Sequence, residues 1–493
     1  MRVVLNPQLA IGQIDIERIP LNPQSRDDIP AVLRGLQQIW SDAELRAKLF
    51  TLLETHLLAD KSKADSADNE RQAYGPCLDA RNGRPGMSLW SILVLGLLRQ
   101  GLNCDYDRLH ELAGQHRNVR RMMGLSDWDS TVASCRTITR NVSLLTPQLL
   151  ADINRLVVGA GYEVLGKDVE GELTARCDSF VVETDVHYPT DVSLLWDAMR
   201  SLLRTIARAS EAQGETGWRQ HKKLEKKVSR LFQRVRTRRR RKNQEKGVKA
   251  YLKQCERLLE RAEGSLEKLR ESGASKEEIK EIERLTGLGQ KLTGQVERRI
   301  LKGETIPQEE KVYSIFEDHT RWCVKGKAGV LVELGVPVTI VESAEQFILG
   351  HRIMWTEQDV DVAVEVVEQV QSEYPGLQGC SFDKGYYSAG NRQRLDGILA
   401  RNVMPKKGRL SETDKEREEA QEHVEKRREH PAVESAIANL EQRGLDRVRE
   451  HGRAGFERAI GLSVVAANVH RLGLILQRRE LERLKKERLK IAA

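Results

Sequence analysis

The sequence predicts an α/β protein: a mixed sheet with helices on both faces, a helical N-terminal domain before it and a long helical, coiled-coil-like insertion within it. Apolar residues alternate with polar ones near 176–187 and 311–353, a period typical of strands. Outside the insertion, these strands are followed by helix, strand, helix, strand and helix, an order typical of a mixed sheet. Residues 190–300 are almost wholly helix-forming, with Leu and Val at spacings of three and four.

Composition excludes several classes of protein. The 493 residues are 39% hydrophobic, 31% charged and 5% aromatic, which favours a soluble protein with long exposed helices. No apolar run in the sequence reaches the roughly 18–20 residues that cross a bilayer, and the start has no signal-like segment, so we expect a cytoplasmic protein. The seven cysteines are scattered without a CxxC pair, which argues against a disulfide framework or a zinc knuckle.

The N-terminal half predicts helices with recognisable ends. Residues 83–127 read as two helices joined by a Gly-containing turn, which is compatible with a helix-turn-helix or with an ordinary helical hairpin. Thr146 and Pro147 are typical of a helix start. Ser275 and Glu278 have the spacing of a capping box inside the insertion.

These patterns predict five regions. They are an N-terminal helical region (1–75), a helical, helix-turn-helix-like domain (76–165), a mixed-sheet core (170–200 and 308–475), a basic helical insertion (201–307) and a basic C-terminal helix (476–493).

The insertion carries a concentrated positive charge. Residues 221–249 contain 14 Lys and Arg against two Glu, whereas the whole chain has a net charge of only +8. Within one helix such cations would repel each other at spacings of three and four residues. A phosphate backbone would relieve that repulsion, so we expect this segment to contact DNA.

Three carboxylates follow predicted strands or open a predicted helix. Asp185 ends the strand in FVVETD, Asp383 follows the short strand in CSFDKGYY, and Glu434 begins the helix in HPAVESAI. If they meet at one edge of the sheet, they repel each other unless cations bind. Oxygen ligands of this kind favour Mg²⁺ or Mn²⁺, and two such ions promote displacement at phosphorus.

Neighbouring acids remain alternatives to two of these residues. Glu183 and Asp191 compete with Asp185, and Glu429 and Glu441 compete with Glu434.

Four phrases of the sequence, taken together, resemble a known family. VETDVHYPTD, GKAGVLVELGVPVTI, SFDKGYYS and HPAVESAIANLEQRGLDRVREHG are similar in order and content to DDE transposases of bacterial insertion sequences, with the ISNCY-type group the most similar. Residues 83–125 resemble the N-terminal helical domain of those enzymes. The resemblance covers about 80–190 and 311–475 and implies an RNase H-like catalytic core.

The resemblance also implies an activity and a site. Asp185, Asp383 and Glu434 would be the catalytic and metal-binding residues, holding two Mg²⁺ or Mn²⁺ ions. The enzyme would bind double-stranded DNA at the inverted repeats of its element, cleave with water and join the freed 3′-OH to target DNA. A homodimer or larger synaptic complex would pair the ends. The rival interpretations are a nuclease that cannot join DNA, an inactive DNA-binding protein and a coiled-coil scaffold.

The sequence departs from the family beside the glutamate. Some relatives have Arg four residues before it and Lys seven after it, where this chain has His430 and Glu441. Arg443, Arg447 or Arg449 would then supply the phosphate contact. His187, Tyr188, His319 and Trp322 are interpreted as structural, and Lys384 either contacts phosphate or is solvated. The predicted DNA-binding residues are Arg84, Arg120, Arg121, Lys227, Arg230, Arg234, Arg238, Arg239, Arg240, Arg241, Lys384, Arg443 and Arg447.

Overall fold

The computed structural model describes residues 3–5, 9–57, 86–237, 241–324 and 332–492. The chain divides into two compact units. Unit 1 contains Met1–Asp185 and Gly335–Ala493, and unit 2 contains Val186–Leu334. Unit 2 therefore begins before and ends after the predicted insertion.

Helices make up most of the N-terminal half. In chain order the elements are α1 (Asp28–Ser41), α2 (Ala43–Leu57), α3 (Leu89–Gly101), α4 (Tyr106–Gln115), α5 (Arg117–Met122), α6 (Cys135–Val142), α7 (Pro147–Leu165), β1 (Leu173–Thr184), α8 (Asp191–Ala212), α9 (His221–Thr237), α10 (Arg241–Glu271), α11 (Lys276–Val296) and β2 (Arg321–Val324).

The C-terminal half alternates strands and helices before it ends in one long helix. It contains β3 (Val332–Ser343), β4 (Ile348–Ile353), α12 (Asp359–Glu373), β5 (Leu377–Phe382), α13 (Ala389–Ile398), β6 (Arg401–Val403), α14 (Glu412–Glu419), α15 (Gln421–Glu429), α16 (Val433–Leu440), β7 (Arg447–Val448) and α17 (Gly452–Ala492).

The seven strands of the described residues form one mixed sheet. Its order is β2-β3-β1-β5-β6, with β4 also paired to β3 and β7 paired to β1. β1 runs antiparallel to β3, whereas β5 and β7 run parallel to β1, and β6 runs parallel to β5. The fold is thus mostly helical around a mixed sheet, which confirms the coarse fold class.

The two faces of β1 enter different hydrophobic clusters. Ala175 and Cys177 pack with the N-terminal helices and α12, whereas Phe180 and Val182 pack under α16 and α17. The N-terminal helices share the first of these clusters with the sheet. They therefore belong to the same compact unit as the sheet.

The long helix α17 is the centre of unit 1. It packs against α1, α3 and α7. Among the described residues it is the only helix long and apolar enough to cross a membrane, and 83% of that apolar window is buried inside the protein. The burial identifies α17 as a core helix.

Unit 2 contains a bundle of α8, α9, α10 and α11 with its own apolar core. Trp196 of α8 stacks on Phe232 of α9, with ring centroids 5.8 Å apart. The predicted capping box is confirmed, because Ser275 and Glu278 bond to each other's backbone at the start of α11. Thr146 likewise caps α7, as its sequence predicted.

Two predicted boundaries are wrong. The first strand ends at Thr184 and not near residue 187, because the chain leaves the sheet once its pairing to β3 stops at Glu183. Of the predicted strands after 311, the described ones begin only at Arg321, and residues 311–320 form bends, turns and irregular backbone.

Candidate active site

Two aspartates lie side by side where β1 and β5 pair. The last paired residues of this parallel ladder are Cys177 and Phe382, so the next residue on each strand is Asp178 and Asp383. Paired residues of neighbouring strands share a face and have backbones about 4.8 Å apart. Asp383 remains in an extended conformation after β5 ends, which keeps it beside Asp178.

The glutamate on α16 reaches the same place. α16 packs on β1 through the cluster that contains Phe180 and Val182, which lie on the same face of the strand as Asp178. Glu434 lies in the first turn of α16 and is close enough to affect the ionisation of Asp178. The sheet and this helix therefore bring Asp178, Asp383 and Glu434 together.

The carboxylate of Asp178 is energetically unfavourable in its charged form. Burial raises its pKa to about 6, and repulsion from Asp383, Glu434 and Asp359 adds to that rise. A hydrogen bond of 2.8 Å from the backbone N–H of Ser179 acts in the opposite direction. A bound cation would relieve the repulsion. A carboxyl group with a raised pKa beside other acids is in the electrostatic environment expected of a metal ligand.

The carboxylate oxygens of these three residues suit a hard divalent cation, but the side chains are too far apart to bind one ion together. Carboxylate oxygens from two strands and one helix are the ligands that Mg²⁺ and Mn²⁺ prefer. Among the residues that the structure describes, no group of three or more His, Cys, Asp or Glu side chains is close enough to hold an ion as it stands. Binding would have to draw these side chains together.

The structure does not bring Asp185 to the other two predicted acids. Asp185 lies seven residues beyond Asp178, just past the end of β1, which corresponds to about 23 Å of extended chain. Its charge acts instead on Arg447, whose pKa is raised chiefly by a hydrogen bond to Glu183. Of the three predicted catalytic residues, the structure therefore groups Asp383 and Glu434 and leaves Asp185 apart.

Asp178 is not among the site residues predicted from the sequence, although the sequence contains a signal for it. Phe180 and Val182 are apolar and share their parity with Asp178, so a period of two places this acid on a face of the strand that packs against the core. An acid on that face needs a partner or a function. Asp185 has the opposite parity and is exposed.

The alternative acids are mostly engaged in ion pairs. Glu183 pairs with Arg447 at 2.7 Å, and Glu429 pairs with Lys426 at 2.9 Å. In unit 2, Asp191 pairs with Arg299 at 3.0 Å. These contacts give each acid a structural role.

His430 and Ser381 form a buried contact under the start of α16. The His430 Nδ1 atom lies 2.9 Å from the Ser381 hydroxyl oxygen. Burial lowers the pKa of His430 to about 4, and the nearby Arg427 contributes to that shift. A neutral, buried imidazole at this position does not supply the positive charge that an arginine would bring to a phosphate.

Three of the arginines predicted to bind DNA serve the fold. Arg120 donates to backbone carbonyls that include those of Ala113 and Thr131. Arg121 is buried and bonds to Asp127 at 2.8 Å. Arg443 is buried and bonds to Asn439 at 2.7 Å.

The remaining predicted DNA contacts divide between exposed and undescribed residues. Lys384 is exposed, and Arg447 is half exposed beside Glu183. Lys227, Arg230 and Arg234 are exposed on α9. Arg84, Arg238, Arg239, Arg240 and the side chain of Arg241 lie outside the described residues.

The exposed cations of α9 form one basic face. Its apolar positions Val228, Phe232 and Val235 are buried in the bundle, so the basic positions between them are left in solvent. The face consists of Lys222, Lys223, Lys226, Lys227, Arg230, Arg234 and Arg236. The one acid of α9, Glu225, is paired with Arg204 at 2.6 Å.

In unit 2, the side chain of His187 contacts the carboxylate of Asp197. Its Nε2 atom lies 2.6 Å from the Asp197 carboxylate, and Asp197 also pairs with Arg200 at 3.1 Å. Burial acts to lower the pKa of His187, but the hydrogen bond to Asp197 and other contacts outweigh it and raise the pKa. The arrangement agrees with a structural histidine.

Replacing Asp178 should stabilise the metal-free protein. Because folding raises the pKa of this carboxyl to about 6, the folded state binds its proton more tightly, and stability falls as the pH rises from about 4 through 6. Asp178→Asn removes that penalty, by about 3 kcal/mol at most at pH 8 and almost nothing at pH 4. Thermal unfolding in EDTA at pH 4, 6 and 8 measures the difference. Exposed Asp185→Asn is the control, and a lower Tm for Asp178→Asn at pH 8 would contradict the prediction.

Comparison with known proteins adds no assignment: no family model, no curated protein and no solved structure matches the chain.

Proposed function

We propose that the chain is a DNA transposase of the DDE type, with an RNase H-like core that cleaves the ends of a mobile element and joins their 3′-OH groups to target DNA. The observation that carries the proposal is the position of Asp178 and Asp383 side by side on adjacent parallel strands, with Glu434 of α16 near enough to affect the ionisation of Asp178. Asp178 takes the place that the sequence resemblance assigned to Asp185.

The three acids would supply metal-binding oxygens from different elements of the fold. Asp178 and Asp383, on adjacent parallel strands, would present oxygens from the sheet, and Glu434 would present them from α16. Two Mg²⁺ or Mn²⁺ ions held by these oxygens would activate the attacking oxygen and stabilise the leaving oxygen at phosphorus. The partly buried position of Asp178 limits the access of water to that side of the site.

The basic face of α9 supports DNA as the substrate. Seven exposed cations on one helix, with Glu225 already paired, form a surface that suits a phosphate backbone. The unit that carries them is inserted directly after β1, the strand of Asp178. A dimer or larger complex would then be needed to hold two DNA ends together.

Neutralising part of this basic face should weaken DNA binding and its salt dependence. Lys227, Arg230 and Arg234 changed together to Gln should lower affinity for duplex DNA, and the slope of log K against log salt should become shallower by about 0.9 for each phosphate that the protein no longer neutralises. The control changes Lys276, Lys280 and Lys291, which are exposed on α11 of the same unit, to Gln. Fluorescence anisotropy at several salt concentrations measures both. Equal effects of the two triple variants would contradict a specific role for α9.

The proposed activity is tested with purified protein and pre-cleaved DNA ends taken from the sequences that flank the gene. Strand joining that requires Mg²⁺ or Mn²⁺ is the expected result. Cleavage without joining would instead identify a nuclease. Binding without either reaction would identify an inactive DNA-binding protein.

A further inference from the structure

Arg427 places a guanidinium group at the end of β5. Its Nη1 atom donates to the backbone carbonyl of Phe382 at 2.7 Å. Its Nη2 atom lies 3.8 Å from the Asp383 carboxylate, which is close enough for attraction but too long for a hydrogen bond. The cation is thus anchored to the residue that precedes one of the three grouped carboxylates.

Two other arginines of the sheet are paired with acids outside the three-carboxylate group. Arg176 bonds to Glu342 at 3.1 Å, and Arg447 bonds to Glu183 at 2.7 Å. Arg427 differs because the acid nearest to it is Asp383 itself. Its side chain is 34% exposed, so a ligand can reach it.

A phosphate group that approaches three carboxylates meets electrostatic repulsion. A fixed guanidinium beside them offsets part of that repulsion and offers a planar fork of N–H donors, which suits phosphate oxygens better than a single ammonium does. The backbone bond to Phe382 holds the fork in place before the ligand arrives, so less entropy is lost on binding.

We propose that Arg427 binds the phosphate group on which Asp178, Asp383 and Glu434 act, with the bond to the Phe382 carbonyl fixing its position. This inference rests on the proposed function, because it assigns a substrate contact to that same site. Arg427 lies on α15, a helix for which the sequence predicted no phosphate contact.

His430 provides a way to observe Arg427 without measuring catalysis. Burial and the charge of Arg427 both hold the pKa of His430 low. An anion bound to Arg427 would reduce that positive field, and removal of the guanidinium would do the same. In both cases protonation of His430 becomes easier, and its pKa rises.

The first experiment follows His430 by NMR in protein labelled with ¹³C-histidine, with the signal assigned by His430→Gln. Inorganic phosphate should raise the pKa of His430 in the wild type and have no further effect in Arg427→Gln. The matched control is Arg428→Gln, which removes the same charge from the next, exposed position of α15. A wild-type signal that does not respond to phosphate overturns the proposal.

The second experiment measures metal-dependent DNA cleavage. Arg427→Gln should lower kcat/KM by about 100-fold, the size expected when one donor to a reacting oxygen is removed, with kcat affected as well as KM. Arg427→Lys should recover part of the loss, and Arg428→Gln should stay within about twofold of the wild type. Equal cleavage by Arg427→Gln and Arg428→Gln overturns the proposal. If phosphate shifts His430 through Arg427 but the wild type cleaves no DNA, the anion site stands and the proposed function fails.

Discussion

Asp178→Asn should abolish metal-dependent DNA cleavage and joining. We expect a loss of more than about 100-fold, because a change to a group that only supports a metal ligand already costs about 10–100-fold. Asn keeps the shape of the side chain but removes the charge that attracts the ion. Cleavage of labelled element-end DNA in Mg²⁺ and in Mn²⁺ measures the effect, and duplex DNA binding without metal should be unchanged.

Asp185→Asn is the matched control for this prediction. Asp185 is an exposed aspartate of the same strand region, about 23 Å along the chain from Asp178. We expect it to retain cleavage within a few-fold of the wild type. If Asp185→Asn is inactive and Asp178→Asn is active, the grouping of Asp178 with Asp383 and Glu434 does not describe the working site.

Gly473→Ala should strongly destabilise unit 1. Gly473 lies in α17 where it crosses α1, and a methyl group there would overlap the backbone carbonyl of Ala31. Gly35 of α1 makes an equally close approach to the carbonyl of Val469. Since backbone atoms cannot move aside as side chains do, we expect a loss of about 3 kcal/mol or more, at or above the usual range for an overpacked core. Urea unfolding followed by tryptophan fluorescence measures it.

Gly159→Ala provides the opposite control. Gly159 lies inside α7 of the same unit, and an added methyl group there meets no atom within 4 Å. Alanine should therefore stabilise the helix by about 0.5–1 kcal/mol. A Gly473→Ala protein as stable as Gly159→Ala would show that the α1–α17 contact is not closely packed.

Local signals in the sequence were sufficient for the coarse fold. Thr146, Ser275 and Glu278 marked helix starts because a cap needs only residues close in sequence. Spacings of three and four predicted the helical segment at 190–300, where α8 to α11 lie. The insertion was predicted as a long helical segment between strands, and unit 2 begins before it and ends after it.

The register between strands could not be read from the sequence. Whether Asp178 or Asp185 lies beside Asp383 depends on which residue of the first strand pairs with Phe382. No local sequence pattern predicts that pairing. Burial of Arg443 likewise arises from packing between distant segments, because its side chain bonds to the backbone carbonyl of Gly101. Both differences concern contacts between residues far apart in the chain.

The pairing of Glu183 with Gly335 also bears on how the protein folds. Unit 2 lies between these two residues in the sequence. β1 can therefore pair with β3 only after the first and last residues of that unit have come close together. Closing a loop costs entropy that grows with the logarithm of its length, and long-range pairings of this kind slow folding. If unit 2 collapses first around its own core, it reduces the span that β1 and β3 must close. The inserted unit would then fold before the sheet, although β1 is synthesised before that unit.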